Sequence, residues 1–370
     1  MGSVIGVIGG GQLARMMIAP AVELGIELRV LAEAPGSSAG LAATAVGDYR
    51  DVDAVLAFAD GVDVVTFDHE HVPQEVLARL VAGGIPVRPG PTALAVAQDK
   101  ILMRERLTAL GAPVPSWAVV SDSTELGAFL EAHGGTAIVK TPRGGYDGKG
   151  VRVVRAAGEA DDWFADGPLL AEELVDFRRE LAQLVARRPS GQTAAWVLVE
   201  TVQRGGVCAE VVAPAPGAGA LEEEARTLAT TIAEQLDVTG VLAVELFETT
   251  DGRLLVNELA MRPHNTGHWS IDGAITSQFE QHLRAVLDLP LGDPSPTAPW
   301  SVMVNVLGGP DGAGIPDRYP AAFAAQPAVK VHSYGKDSRP GRKVGHVTAT
   351  GSDLKDVLAR ARAAAAFFDA

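Results

Sequence analysis

The chain has 370 residues, a formal net charge of −15 at pH 7 and a single cysteine, Cys208. A chain of this length predicts two or three domains, and one cysteine excludes both an intramolecular disulfide framework and a cysteine zinc cluster. The acidic balance argues against a nucleic-acid-binding surface, and no apolar run is long enough to span a membrane, so we expect a soluble cytoplasmic protein.

The first part of the chain alternates short apolar runs with helical stretches. The apolar runs are VIGVIG, ELRVLAE and VDVVTFD, and the helical stretches cover residues 12–24, 52–59 and 74–80. This alternation is typical of a parallel sheet with helices on both faces. The sequence therefore predicts a parallel α/β domain over residues 1–98.

A glycine-rich turn follows the first apolar run. Gly9, Gly11 and Ala14 fit the G-x-G-x-x-[G/A] pattern of dinucleotide-binding turns, and Glu33 lies about where an acid would meet the ribose. The backbone N–H groups of such a turn attract an anion without specifying which one. The residues alone leave open a dinucleotide, another phosphate ligand or a purely structural turn.

Proline-rich segments divide the rest of the chain. After GIPVRPGP, residues 84–91, two helical stretches precede a mixed α+β region that extends to about residue 260. The run LPLGDPSPTAPW, residues 289–300, marks a second boundary. It is followed by the strands SVMVNVLG, AVKVHSYG and KVGHVTATG and by an alanine-rich helix. We therefore predict domains at residues 1–98, 99–290 and 291–370.

Residues 241–260, VLAVELFETTDGRLLVNELA, predict a β-hairpin. Asp251-Gly252 is typical of a two-residue type I′ turn, which would place Thr250 opposite Arg253 and, five steps on, Glu245 opposite Glu258. Like charges directly opposed destabilise a sheet unless a cation lies between them, and paired carboxylates with room for water and phosphates suit Mg²⁺. The alternative is a solvated hairpin face on which both acids point at water.

Two stretches upstream carry features of a nucleotide site. In AIVKTPRGGYDGKGV, residues 137–151, Lys140 ends an apolar strand before a glycine-rich loop, which can place an ammonium and backbone N–H groups on a phosphate. In residues 169–187, an apolar strand ends at Glu172 and Glu173, and a second strand carries Glu180, a candidate for the ribose. A surface loop in which Lys140 has no ligand is the alternative.

In this order the features resemble the ATP-grasp superfamily, over essentially the whole chain. The motifs GGGQLARMM, GGYDGKG, NELAMRPHNTGHWSIDGAITSQFEQHLRA and RPGRKVGH resemble the N5-carboxyaminoimidazole ribonucleotide synthetase family in particular. Met261, where the family often has proline, and the segment TFDHEHVP depart from the pattern.

The resemblance implies α/β and α+β architecture: an ATP-grasp fold with an N-terminal Rossmann-like pre-ATP-grasp domain, a central two-lobed nucleotide-binding domain and a small β-rich C-terminal lobe. It also implies an ATP-dependent ligase that uses Mg²⁺ and carboxylates 5-aminoimidazole ribonucleotide with bicarbonate, through carboxyphosphate. A homodimer is implied as well. The opening turn then faces the phosphate of the ribonucleotide, and Glu33 is merely a strand-end acid.

For ATP, the resemblance implies a set of phosphate, base and ribose contacts. The phosphate ligands are Lys100 and Lys140, and the loop above them comprises Gly145, Tyr146, Asp147, Gly148, Lys149 and Gly150. The adenine contacts are Glu172, Glu173, Leu174 and Val175, the ribose contact is Glu180, and the remaining nucleotide contacts are Gln203, Asn257 and Glu258. Glu245 and Glu258 would bind Mg²⁺, in agreement with the hairpin register.

For the acceptor, the resemblance implies a pocket for bicarbonate and carboxyphosphate lined by Arg262, His264 and Asn265. The ribonucleotide contacts are Gly11, Gln12, Glu70, Tyr146, Asp147, Arg342 and Lys343. The catalytic residues among these are Asp147, Arg262, His264 and Lys343. Three alternatives remain at this stage: a formate-using relative in the same superfamily, an NAD-dependent oxidoreductase, and a sensor that binds ATP without turnover.

Overall fold

The computed structural model describes residues 2–144, 150–308 and 314–368. The first domain is a parallel sheet in the order β3-β2-β1-β4, as the sequence predicts. Its strands are β1 Val4–Ile8, β2 Glu27–Ala32, β3 Ala43–Val46 and β4 Val64–Phe67. Its helices are α1 Gln12–Glu23, α2 Val52–Phe58, α3 Gln74–Ala82 and α4 Pro91–Gln98. The apolar β1 lies between β2 and β4, so its side chains are buried in the core.

A second, antiparallel sheet follows in the order β5-β8-β6-β7. Its strands are β5 Trp117–Val120, β6 Ala137–Lys140, β7 Val151–Val154 and β8 Leu169–Glu173, and its helices are α5 Lys100–Ala109 and α6 Ser123–Ala132. Short 3₁₀ helices cover Ala157–Ala160 and Phe164–Asp166. In the pairing of β6 with β8, Lys140 lies opposite Leu170 and Glu172 opposite Ile138, so Lys140 and Glu172 are on the same face of this sheet.

The remaining strands form one large sheet in the order β14-β13-β9-β11-β12-β15-β17-β16, with β10 paired to β9. The strands are β9 Phe177–Arg187, β10 Thr193–Ala195, β11 Val199–Arg204, β12 Val207–Ala213, β13 Gly240–Thr249, β14 Leu254–Ala260, β15 Trp300–Leu307, β16 Lys330–Ser333 and β17 Lys343–Gly351. The helices are α7 Leu221–Gln235, α8 Ser270–Gly273, α9 Gln278–Val286, α10 Ile315–Ala325 and α11 Leu354–Ala365, and Asn265–Gly267 is 3₁₀.

Aspartates fix the starts of several helices. The carboxylates of Asp51, Asp99, Asp122 and Asp353 accept backbone N–H groups in the first turns of α2, α5, α6 and α11. These side chains satisfy donors that have no partner inside the helix. Within the described residues, no helix has both the length and the apolar character needed to cross a membrane.

The C-terminal strands do not form a sheet of their own. They are β-rich and end in the alanine-rich α11, but they extend the central sheet, because β15 pairs with β12 from Glu210↔Val304 to Ala213↔Ser301. Val302 and Val347 are buried in the core cluster that also contains residues of α11. The sequence predicted these strands but not the pairing of β15 with β12.

The hairpin of β13 and β14 has the predicted pairing of Glu245 with Glu258 but not the predicted turn. The Thr249 N–H donates to the Arg253 carbonyl at 2.9 Å, so a three-residue loop replaces the type I′ turn. Gly252 supplies the positive φ of that loop, +84°. A β-bulge opposite Glu245 and Leu246 then shifts the strand register by one residue, which restores the pairing of Glu245 with Glu258.

His282 joins the first domain to the large sheet. Its Nδ1 accepts the Val241 N–H of β13 at 3.1 Å, and its Nε2 lies 2.8 Å from Thr66 Oγ1 of β4. Because Nδ1 accepts, a neutral ring must carry its proton on Nε2 and donate it to Thr66. Burial lowers the pKa of His282 to about 3.

This contact predicts a loss of stability in acid. An unfolded histidine titrates near 6.5, so as the pH falls the unfolded chain binds the proton before the folded chain does. The stabilisation is complete above about pH 6.5 and is lost as the pH falls towards the folded pKa, at most by ~1.4 kcal/mol per pH unit. Urea unfolding between about pH 7.5 and 5.5 measures the slope. We expect His282→Leu to reduce this slope by up to about one proton at the acid end of the range; an unchanged slope in His282→Leu would contradict this account.

Candidate active site

A buried carboxylate fixes the predicted phosphate lysine. Lys140 Nζ lies 2.6 Å from Glu172 Oε2, and Arg104 Nε donates to Glu172 Oε1. Glu172 is 3% exposed and Arg104 is 1% exposed. Burial favours the neutral acid, but the charges of Lys140 and Arg104 outweigh it, so the pKa of Glu172 is lowered. The side chain of Glu172 therefore binds two cationic side chains inside the protein and is not available to contact adenine.

Arg104 was missed from the sequence, although one signal was present. It lies among the buried Met103 and Leu107 on α5, so a charged residue occupies the apolar face of a helix. Such a residue requires a buried partner. Arg104 also donates to the Asn257 carbonyl at 2.6 Å, which ties α5 to the bulge of β14.

Lys100 and Lys140 border one cavity together with Asn257 and Glu258. The Lys140 ammonium donates to Asn257 Oδ1 at 3.3 Å, and the Lys100 ammonium donates to the Gly144 carbonyl at 2.9 Å. Burial lowers the pKa of Lys100, while the charge of Glu258 acts in the opposite direction. The structure thus brings four of the predicted ATP residues together.

Glu245 and Glu258 face each other across the hairpin. Burial, and then the charges of Glu258 and Glu180, raise the pKa of Glu245 to about 8. A divalent cation between the two carboxylates would remove this repulsion, so the pair fits Mg²⁺. Within residues 2–144, 150–308 and 314–368, no three His, Cys, Asp or Glu side chains gather as a metal site.

The residues predicted for adenine and the ribose lie at the end of β8 and beyond it. The Glu173 carboxylate accepts the Ser116 N–H at 2.9 Å, Leu174 is exposed, and Val175 is half-buried. Burial raises the pKa of Glu180, and a hydrogen bond to Gln203 opposes this effect. Glu180 and Gln203 are therefore in contact, as expected of residues in one site.

The predicted acceptor residues lie next to the carboxylate pair. His264 Nε2 is 3.2 Å from Glu245 Oε1, and Arg262 Nε donates to Glu70 Oε2 at 2.7 Å. Burial, together with the charge of Arg262, lowers the pKa of His264 well below its usual value, so this ring is neutral. Asn265 is buried, and its side-chain amide lies beside the Cys208 thiol with no other hydrogen-bond partner among the described residues. A polar group buried in this way fits a ligand contact.

The opening glycine turn uses carboxylates of the chain itself. The Gly10 N–H donates to Glu33 Oε2 at 3.1 Å, and the Ala14 N–H donates to Asp68 Oδ1 at 2.7 Å. A hydrogen bond from His69 is the main cause that lowers the pKa of Glu33 to about 2. The interpretation of Glu33 as merely a strand-end acid is therefore wrong, because Glu33 holds the turn. A methyl group on Gly11 would overlap Asp68.

Residues 336–343, near the C-terminal end of the chain, contribute to two parts of the candidate site. Lys336, which was missed from the sequence, donates to Gln12 Oε1. Its signal was the run of cations around RPGRKVGH, from which only Arg342 and Lys343 were chosen. The charge of Lys343 acts on the pKa of Glu245 and of His264, which places it near the carboxylate pair. Arg342 lies at the surface and donates to the Asp337 carbonyl at 3.3 Å.

The predicted loop falls mostly outside the described residues. Gly145, Tyr146, Asp147, Gly148 and Lys149 belong to that part of the chain. Gly150 is described, and its carbonyl accepts the Thr141 N–H at 3.0 Å.

These sheets, with two lysines and two glutamates at their junction, define an ATP-grasp enzyme, a class of ATP-dependent ligases. Family models match the chain in three parts: the ribonucleotide synthetase preATP-grasp domain over residues 2–98, the ATP-grasp domain over residues 105–279, and the phosphoribosylaminoimidazole carboxylase C-terminal domain over residues 301–360. A curated relative, the N5-carboxyaminoimidazole ribonucleotide synthase of Mycobacterium tuberculosis, is 52% identical, with 98% of this chain and 86% of the relative covered.

Solved structures agree with this assignment. The N5-carboxyaminoimidazole ribonucleotide synthetase of Thermus thermophilus is 41% identical with a TM-score of 0.87, covering 96% of this chain and 97% of its own. The N5-carboxyaminoimidazole synthase of Aspergillus clavatus, in complex with ADP and 5-aminoimidazole ribonucleotide, is 30% identical with a TM-score of 0.88, covering 99% of this chain and 98% of its own. The chain belongs to the N5-carboxyaminoimidazole ribonucleotide synthase family.

Proposed function

We propose that this chain carries out the reaction for which its family is named, the ATP- and bicarbonate-dependent carboxylation of 5-aminoimidazole ribonucleotide in purine biosynthesis. Bicarbonate takes the γ-phosphoryl group of ATP, which gives carboxyphosphate and ADP. The exocyclic amine of the ribonucleotide then attacks the carboxyl carbon, and phosphate leaves. The observation that carries the proposal is the carboxylate pair Glu245 and Glu258, which has the phosphate lysines on one side and His264 on the other.

The nucleotide half works by positioning and charge. Lys100 and Lys140 hold phosphate oxygens, and Glu172 keeps the Lys140 ammonium aimed into the cavity. Bound Mg²⁺, held by Glu245 and Glu258, supplies positive charge against the transferring phosphoryl group. The segment Glu173–Val175 contacts adenine, and Glu180 with Gln203 contacts the ribose. No covalent nucleophile is needed, and the buried Cys208 plays no part.

The acceptor half holds a short-lived intermediate away from water. Arg262, fixed by Glu70, and the neutral His264 line the bicarbonate pocket with Asn265. Exclusion of solvent by the buried Asn265 and the half-buried Arg262 and His264 limits hydrolysis of carboxyphosphate. Gln12 and Lys336, which are joined by a hydrogen bond, bind the phosphate of the ribonucleotide. Lys343 and the loop residues Tyr146 and Asp147 contact the aminoimidazole.

The same observations argue against an oxidoreductase. Glu33 is already bonded to Gly10 and His69, so it is not placed to meet the ribose of a dinucleotide. We further propose that the enzyme acts as a homodimer in the cytoplasm. Family resemblance supports the homodimer, and the single free cysteine agrees with a reducing compartment.

Lys343→Met tests the acceptor half. We expect carboxylation of the ribonucleotide to be abolished while ATP still binds, because Lys140 and the two glutamates are unchanged. ADP formation with bicarbonate and 5-aminoimidazole ribonucleotide measures the first, and calorimetry with ATP measures the second. Lys330→Met, an exposed lysine on β16, is the control. Near-normal turnover in Lys343→Met, or ATP consumption by the wild type with formate and glycinamide ribonucleotide instead, would contradict the proposed acceptor.

A further inference from the structure

Gln278, the first residue of α9, is fully buried behind the acceptor pocket. Its side-chain Oε1 accepts the backbone N–H of His264 at 2.8 Å, and its Nε2 donates to the backbone carbonyl of His264 at 2.7 Å. The same Nε2 lies 2.9 Å from Nδ1 of His268. One side-chain amide therefore binds both backbone polar groups of His264.

The network fixes the orientation of this amide. The His264 N–H can only donate, so Oε1 must face it, and the amino group must then donate to the His264 carbonyl and to His268 Nδ1. His264 is held in extended conformation, with φ −126° and ψ 155°. Since Asn265 follows directly in the chain, its position depends on the same contact.

We propose that Gln278 is a positioning residue for bicarbonate: it sets the backbone at His264, and through it the His264 ring beside Glu245 and the buried amide of Asn265. The inference rests on the proposed function, in which His264 and Asn265 line the bicarbonate pocket. Gln278 does not itself touch the reacting atoms. A displacement of the His264 backbone would move these two groups and leave the lysines and glutamates of the nucleotide half in place.

The chain provides a matched control on the same helix. Gln281 is also fully buried, and it binds one backbone residue in the same two-point manner. Its Nε2 donates to the Gly292 carbonyl at 2.7 Å, and its Oε1 accepts the Gly292 N–H at 2.7 Å. Gly292 belongs to the loop after α9, away from His264. Loss of either glutamine therefore removes a two-point contact with one backbone residue, and loss of Gln278 also removes the contact with His268 Nδ1, but only Gln278 contacts the pocket residue His264.

The experiment compares Gln278→Met with Gln281→Met in steady-state kinetics, with ATP affinity and the thermal midpoint measured on the same samples. We expect Gln278→Met to raise the KM for bicarbonate about tenfold or more, the ratio that ~1.4 kcal/mol of lost binding gives, with the ATP Kd unchanged. Gln281→Met should show a similar drop in midpoint and a normal KM. If the methionine variant does not fold, Gln278→Glu replaces it in the experiment. This variant keeps the size of the side chain but lacks the amino group that donates, and we expect the same rise in the KM for bicarbonate.

Two results would overturn the inference. A normal bicarbonate KM in a folded Gln278 variant is one, and an equal rise in KM in Gln281→Met, which would indicate a general loss of stability, is the other. His264→Ala separates this inference from the proposed function. If His264→Ala raises the KM for bicarbonate and Gln278→Met does not, the inference alone fails. If His264→Ala leaves it normal, the proposed acceptor pocket fails.

Discussion

Glu245→Gln and Glu258→Gln are each expected to lower Mg²⁺-dependent turnover by orders of magnitude and to leave the chain folded. The two carboxylates face each other on neighbouring strands, and the half-buried Glu245 feels the charges of a second and a third acid. Removing one charge relieves repulsion in the protein without the metal, so its stability should stay the same or rise slightly. The same change removes one of the two proposed metal ligands.

The measurement combines ADP formation over a range of Mg²⁺ concentrations with urea unfolding in the absence of Mg²⁺. Glu224→Gln, an exposed acid on α7, controls for the loss of one negative charge. If either hairpin variant unfolds but retains its activity per folded molecule, the pair is structural, and the assignment of the metal is wrong.

Glu172→Gln is expected to destabilise the protein by about 3–5 kcal/mol, the usual cost of removing one partner of a buried ion pair. Arg104 and Lys140 would both lose their carboxylate, and Arg104 has almost no access to water. The pKa of Glu172 is lowered in the folded chain, so its contribution is complete above its ordinary value of 4.5 and is lost as the pH falls through the lower folded value. ATP affinity should fall as well, because Lys140 would no longer be held.

Urea unfolding at neutral pH and ATP calorimetry measure the two effects. Glu131→Gln, an exposed acid on α6 of the same domain, is the control. A Glu172→Gln variant within about 1 kcal/mol of the wild type would show that the two cations find other partners.

The hairpin shows how far sequence patterns extend. The opposition of Glu245 and Glu258 was predicted through a two-residue turn, whereas the loop is one residue longer and the bulge restores the register. The extra residue in the loop and the bulge in β14 compensate for each other, so the predicted pairing is correct although the predicted turn is wrong. The bulge could not be foreseen, because its residue Asn257 is contacted by Arg104 and Lys140 from other elements. Local propensity contains no information about such contacts.

Motif order was sufficient to predict the fold class, since apolar periodicity and glycine turns are local properties. Contacts between distant parts of the chain were missed. Arg104 and Glu172 are 68 residues apart, and Lys336 and Gln12 are 324 apart. For the same reason, the role of Glu33 in holding the glycine turn became visible only when His69 and Gly10 were placed beside it.

The continuous large sheet also determines which parts of the site can move apart. Glu245, Glu258 and Lys343 lie on strands of the large sheet, whereas Lys140 lies on the second sheet, β5-β8-β6-β7. The spacing between the carboxylates and Lys343 is thus set by backbone hydrogen bonds and is independent of whether the cleft is open. Opening of the cleft would displace Lys140 and leave that spacing unchanged.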